Sequence, residues 1–261
     1  MCSTLWRYRG FIVGMVKREF RARYLNSVLG SLWAILQPLG VITIYAVVFG
    51  ALMQPRLPGV DDRMAYGIFL CAGVITWGMF TEVVTRCLHV FIEQANLLKK
   101  VSFPRATLPA IVVLSATLNF SIVFGLLLLF LAVAGRFPGW SIVALLPILV
   151  VQQSLALGLG MALGVLNVFF RDVAHAVAVL LQFWFWCTPI VYPQQILSVP
   201  LQRLLHLNPL TGIVMAYQQI VIRGGWPDWA QLPVPVLSAA VALTAGAMVF
   251  RRLSDEMVDY L

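Results

Sequence analysis

Charge is scarce in this chain. Asp, Glu, Lys and Arg make up 11% of its 261 residues, against about 25% in soluble domains. So few charges cannot clothe a water-soluble globule, and that class is excluded. Acids are the scarcer sign, ten against 18 Lys and Arg. A single acid, Glu82, falls inside an apolar run. A proton relay needs several titratable groups in series, so proton-coupled transport is disfavoured. There is no GxxxxGK[ST] phosphate loop, no HExxH and no Gly-rich turn between a strand and a helix, and hence no motif by which the chain could hold ATP itself. Cys2, Cys71, Cys87 and Cys187 are scattered without a CxxC, which reads as small buried side chains. His89, His175 and His206 stand apart, which is no metal site. A cleavable signal peptide is not expected, because the first long apolar run comes late and lacks a small-residue cleavage pattern.

What the chain has is apolar length. Hydrophobic residues make up 61% and mean hydropathy is +0.91, the composition of an all-α polytopic membrane protein. Six spans are predicted, at 28–53, 64–89, 108–134, 140–169, 174–192 and 232–250. Pro38 should kink the first, and Pro147 stands near the start of the fourth. The net charge of +8 could suggest nucleic acid, but the cations cluster beside apolar runs as topology signals do. With both termini cytoplasmic, only Arg56, Arg63, Arg136, Arg203 and Arg223 lie outside, which fixes the orientation.

Two segments depart from this pattern. Residues 1–27 are too polar to span, and 28–261 form the membrane domain. Phe11, Ile12, Met15, Val16, Phe20 and Tyr24 fall at spacings of three and four, with Lys17, Arg18 and Arg21 on the other side. That is a basic amphipathic helix in the plane of the cytoplasmic leaflet, ended by Asn26-Ser27, or else a partner-binding helix. Between spans five and six, about 196–224, Leu210–Ile222 is apolar but too short to cross about 30 Å of hydrocarbon. Two short re-entrant helices on the outer side are expected, broken at Asn208-Pro209 and leaving at Gly224-Gly225. Non-helical backbone at that depth must be buried in protein or face water, which argues for a multi-subunit passage.

Three groups of residues stand out. Glu82 and Arg86 are spaced for an i,i+4 pair, with a substrate or gating role as the alternative. Phe183-Trp184-Phe185-Trp186 falls near the middle of span five, where an indole N–H facing lipid would lack a partner. Phe183 and Trp186 share a face; Tyr45 and Phe49 on span one share another and could stand opposite. Ring faces suit a sliding sugar chain, so Tyr45, Phe49, Phe183, Trp184 and Trp186 are passage or gate candidates, with helix packing as the alternative. Lys17, Arg18 and Arg21 suit phosphate.

Lys17–Tyr24, Leu29–Leu39, Leu97–Pro104, Asn167–Asp172, Thr188–Pro193 and Asn208-Pro209-Leu210, in that order, resemble the motifs of ABC-2 type polysaccharide export permeases. The resemblance covers nearly the whole chain and fits O-antigen exporters best, with capsule and teichoic acid exporters as close relatives. It implies a homodimer in the bacterial inner membrane, joined by two copies of a separate ATPase subunit that binds ATP and Mg; this chain itself holds no cofactor. It implies export of an undecaprenyl-diphosphate-linked polysaccharide, with Lys17, Arg18 and Arg21 at the lipid-diphosphate entrance. The loop around Gln94, Lys99 and Lys100 and the turn around Arg171 and Asp172 match the family's two coupling helices, though their charges could equally be topology signals. Alternatives are an ABC-2 exporter of a drug or small lipid, a scaffold subunit, and a membrane enzyme acting on lipid-linked sugars. The enzyme would need acids at one interface, and outside there are only Asp61, Asp62 and Asp228.

Overall fold

A computed structural model describes residues 6–24, 32–49, 57, 64–100, 104–254 and 256–260. The ends of the first expected span, the Asn26-Ser27 break, Asp61, Asp62, residues 101–103 and the side chain of Lys100 lie outside the described residues. The described chain is helical. Helix α1 is Arg9–Tyr24, α2 Trp33–Val47, α3 Ala65–Glu93, α4 Ala95–Lys100 and α5 Thr107–Val133. A 3₁₀ lead-in, Gly139–Ala144, runs into α6, Leu145–Phe169. Then come α7, Asp172–Trp186, α8, Val199–Leu205, α9, Pro209–Arg223, α10, Pro233–Leu253, and α11, Met257–Tyr260.

Four helical segments are long and apolar enough to cross a membrane: Ala65–Glu93, Thr107–Val133, Gly139–Phe169 and Trp229–Leu253. They coincide with expected spans two, three, four and six. At 1.5 Å per residue, α3 is about 44 Å long, enough for a whole bilayer. Of the other two expected spans, the fifth is shorter and the first is described only in its middle. Helix α2 has 15 described residues with Pro38 inside, and α7 has 15, each about 22 Å. Span five was expected to run to 192, yet α7 ends at Trp186. Pro189 has no N–H to continue the ladder and biases Thr188 away from helix. The backbone turns instead, and the Thr188 hydroxyl donates back to the Trp184 carbonyl at 2.9 Å.

Helix α6 is the axis of the fold. It packs most extensively on α10 and α3, and α3 in turn packs on α5 and α9. Glycine allows the close approach: a Cβ on Gly158 would lie 2.3 Å from the Ala242 carbonyl carbon of α10, and one on Gly164 would lie 2.4 Å from the Cys87 oxygen of α3. Small residues at such crossings let backbones touch where lipid gives no hydrophobic drive. Helix α9 is buried along most of its length, from Leu210 to Val221. Asn208 caps it by accepting from the Leu210 N–H at 3.0 Å, and Gly224, at φ 62°, ends it. The break, short apolar helix and glycine exit thus fall where the sequence suggested. By contrast, among the described side chains α2 buries only Ala34 and Ile42, and α7 only Val177.

Candidate functional site

The basic helix is anchored by charge as well as by grease. Ile12 and Val16 of α1 are buried against Ile111 of α5, while Lys17, Arg18 and Arg21 are exposed. Glu19 turns inward. Its carboxylate accepts from Arg86 of α3 and from the Ser115 hydroxyl of α5 at 2.8 Å. Arg86 also bonds Glu82 at 3.4 Å, and Asn119 Nδ2 donates to the other Glu82 oxygen at 2.9 Å. The expected i,i+4 pair is therefore one half of a network in which a single guanidinium serves two carboxylates. Glu19, Ser115 and Asn119 were not legible as its members, although Glu19 is the only acid on α1. Beside the network, Arg18, Glu19, Arg86, Glu93 and Gln94 rim a cavity of about 760 Å³ with an apolar floor that includes Met15 and Ile111.

The two expected coupling segments lie at the same end of the bundle, each beside the C-terminal helix α11. Gln94 ends α3, its N–H donating to the Val90 carbonyl at 3.0 Å, and α4 follows with Lys99 exposed. Arg171 and Asp172 are exposed where α6 gives way to α7. Asp172 lies in the first turn of α7, where the helix dipole favours an anion. Helix α11 packs on both α6 and α4: Met257 is fully buried, and the Tyr260 ring meets Phe169 edge-on at 4.9 Å. The Arg105 guanidinium, just before α5, bonds the Ser254 carbonyl beyond α10.

The aromatic run divides into two faces. Trp184 packs edge-on against Phe80 at 5.4 Å, and its indole N–H donates to Asn208 Oδ1 at 2.9 Å. Phe185 meets Trp77 at 5.7 Å. These two rings pack α7 onto α3. Phe183 and Trp186, 66% and 60% exposed, point away from the chain's own core. Tyr45 and Phe49 sit elsewhere, in a ring series Tyr45–Phe49–Tyr66–Phe69 with centroids 6.1, 5.6 and 5.9 Å apart. Within one chain, among the described residues, the two pairs make no ring contact with each other. Among the described residues no cluster of His, Cys, Asp or Glu could hold a metal ion.

Comparison with known proteins gives this geometry its family. The profile described as ABC-2 type transporter matches residues 11–222. The O-antigen export system permease protein RfbA of Myxococcus xanthus is 31% identical over 261 residues, 99% of this chain and 98% of that protein. The protein of the same name from Klebsiella pneumoniae is 26% identical over 251 residues, 96% and 94% of the two. The polysialic acid transport protein KpsM of Escherichia coli is 26% identical over 247 residues, 92% of each. By a match covering most of its length, set on a bundle of membrane-crossing helices, the chain belongs to the ABC-2 type transporter family.

Proposed function

We propose that this chain is the permease subunit of an ATP-driven polysaccharide exporter of the O-antigen type, in a bacterial inner membrane. The observation that carries the reading is the end-to-end similarity to an O-antigen export permease. The likeness to KpsM supports export of a capsular polysaccharide as the second reading. The chain acts as a transport subunit and not as an enzyme; ATP and Mg belong to two copies of a separate ATPase.

The passage is formed by a homodimer. Helix α7 is too short to cross unaided, and both it and the described part of α2 are poorly covered by their own chain. Phe183 and Trp186 face outward on α7, where a second copy completes the wall. Residues 1–27 lie at the cytoplasmic interface and 28–261 make the membrane domain. That domain has six membrane segments with both termini inside, and α8 and α9 re-enter from the outer side. Lys17, Arg18 and Arg21 attract the diphosphate of the undecaprenyl-linked glycan. Gln94, Lys99, Lys100, Arg171 and Asp172 receive the ATPase. Tyr45, Phe49, Phe183, Trp184 and Trp186 line or gate the passage, Trp184 chiefly by fixing α7. The test is co-purification of the tagged chain from its own cells. A complex holding two copies of this chain and two of an ATPase, hydrolysing ATP faster with lipid-linked glycan, is expected; a chain without ATPase overturns the reading.

A further inference from the structure

At the Ala65 end of α3, opposite α4 and α11, lies a cavity of about 240 Å³. Its walls come from Leu57, the first turns of α3, the loop after α7, the last turns of α9 and the segment before α10. Five of its thirteen lining residues are glutamines: Gln194, Gln195, Gln218, Gln219 and Gln231. An amide offers two donors and an acceptor, and a hydroxyl one donor and two acceptors, so the two groups are complementary in either direction. The charged lining residues, Arg223 and Asp228, cancel formally, so a neutral polyol fits better than an anion. Phe69, Pro189 and Pro193 supply apolar faces, against which sugar C–H groups can lie.

The amides are held in place. Gln219 donates to the Trp226 carbonyl at 3.4 Å and accepts from the Asp228 N–H at 3.2 Å. Gln231 donates to Asp228 at 3.0 Å. Gln218, 3% exposed, turns its amide nitrogen to the carbonyls of Phe69, Pro189 and Ile190 at 3.4, 3.2 and 3.4 Å. Gln194 Oε1 is buried, with no hydrogen-bond partner among the described residues. Phe69 also ends the ring series that begins at Tyr45. Tyr45 lines a second cavity with Gln37 and Asn119. Rings about 6 Å apart thus run from the glutamine-lined cavity to a second, mostly apolar one.

We infer that the glutamine-lined cavity is a sugar subsite at the exit, which takes the hydroxyl groups of neutral pyranose units as the glycan leaves. This rests on the reading of the chain as a polysaccharide permease. Gln195 is exposed and reports on occupancy. The full-length chain carries Gln195→Cys in a Cys187→Ser background, since Cys187 is itself exposed. It is expressed with its ATPase in cells whose glycan synthesis can be switched on or off. A membrane-impermeant maleimide is expected to label Gln195→Cys several-fold more slowly with synthesis on. Labelling at Arg203→Cys on α8, outside the cavity, is expected to stay unchanged. Gln194→Met, which keeps the length and removes the amide, is expected to cut surface glycan several-fold at normal protein level. Equal labelling of Gln195→Cys with synthesis on and off, while export runs normally, would overturn the inference. Wild-type cells whose surface glycan does not depend on this chain would instead contradict the permease reading, and this inference with it.

Discussion

Arg86 sits between two carboxylates, and its removal should be felt more than the loss of either acid. The side chains of Arg86, Glu19 and Glu82 are 23%, 34% and 20% exposed, so the network is largely but not wholly out of water. Breaking a fully buried ion pair from one side costs about 3–5 kcal/mol. Solvent screening lowers that here, and about 2–3 kcal/mol is expected for Arg86→Gln, which leaves Glu19 and Glu82 without their cation. Glu19→Gln removes one anion, keeps an acceptor for Ser115 and leaves Arg86 paired with Glu82; about 1 kcal/mol is expected. In the double variant the orphaned repulsion is gone, so its loss should fall short of the sum by about 1 kcal/mol. Thermal unfolding in lipid nanodiscs measures the three losses, and trypsin cleavage in α1 shows whether the helix has lifted off. Losses that add to within about 0.5 kcal/mol, with α1 equally protected throughout, would refute the network as the anchor.

Reversing Lys17, Arg18 and Arg21 to Glu should block export with insertion intact, read as intracellular accumulation of lipid-linked glycan beside a topology assay. Arg171→Ala and Asp172→Ala should insert normally but hydrolyse ATP without export; undiminished export in both removes the turn from coupling. Gly158→Ala should force α6 from α10, because the new Cβ would meet the Ala242 backbone at 2.3 Å; a loss of about 1–3 kcal/mol is expected in unfolding experiments.

Much of this was legible in the sequence, and the remainder has identifiable causes. The apolar stripe of α1 reads directly because Ile12 and Val16 repeat with the helix. Its charged partner does not, since Glu19 and Arg86 are 67 residues apart and only the fold joins them. The extent of α7 was overestimated because Ile190, Val191 and Tyr192 keep the hydropathy high past the point where Pro189 ends the helix. A partner for the Trp184 indole was required by burial, but Asn208, 24 residues on, is named only by the turn that returns α9 to α3. The acidic tail hid α11, because Met257 and Tyr260 alone form no period. The glutamine cavity was invisible for the same reason as the anchor: its walls come from five separate stretches.

Surface glycan in cells deleted for this gene is the most direct measurement of polysaccharide export by this chain. Deletion should abolish the long glycan at the surface and leave it lipid-linked inside, and the full-length chain supplied in trans should restore display only with an active ATPase partner. Normal surface glycan after deletion, or restoration with a catalytically dead ATPase, would contradict the claim.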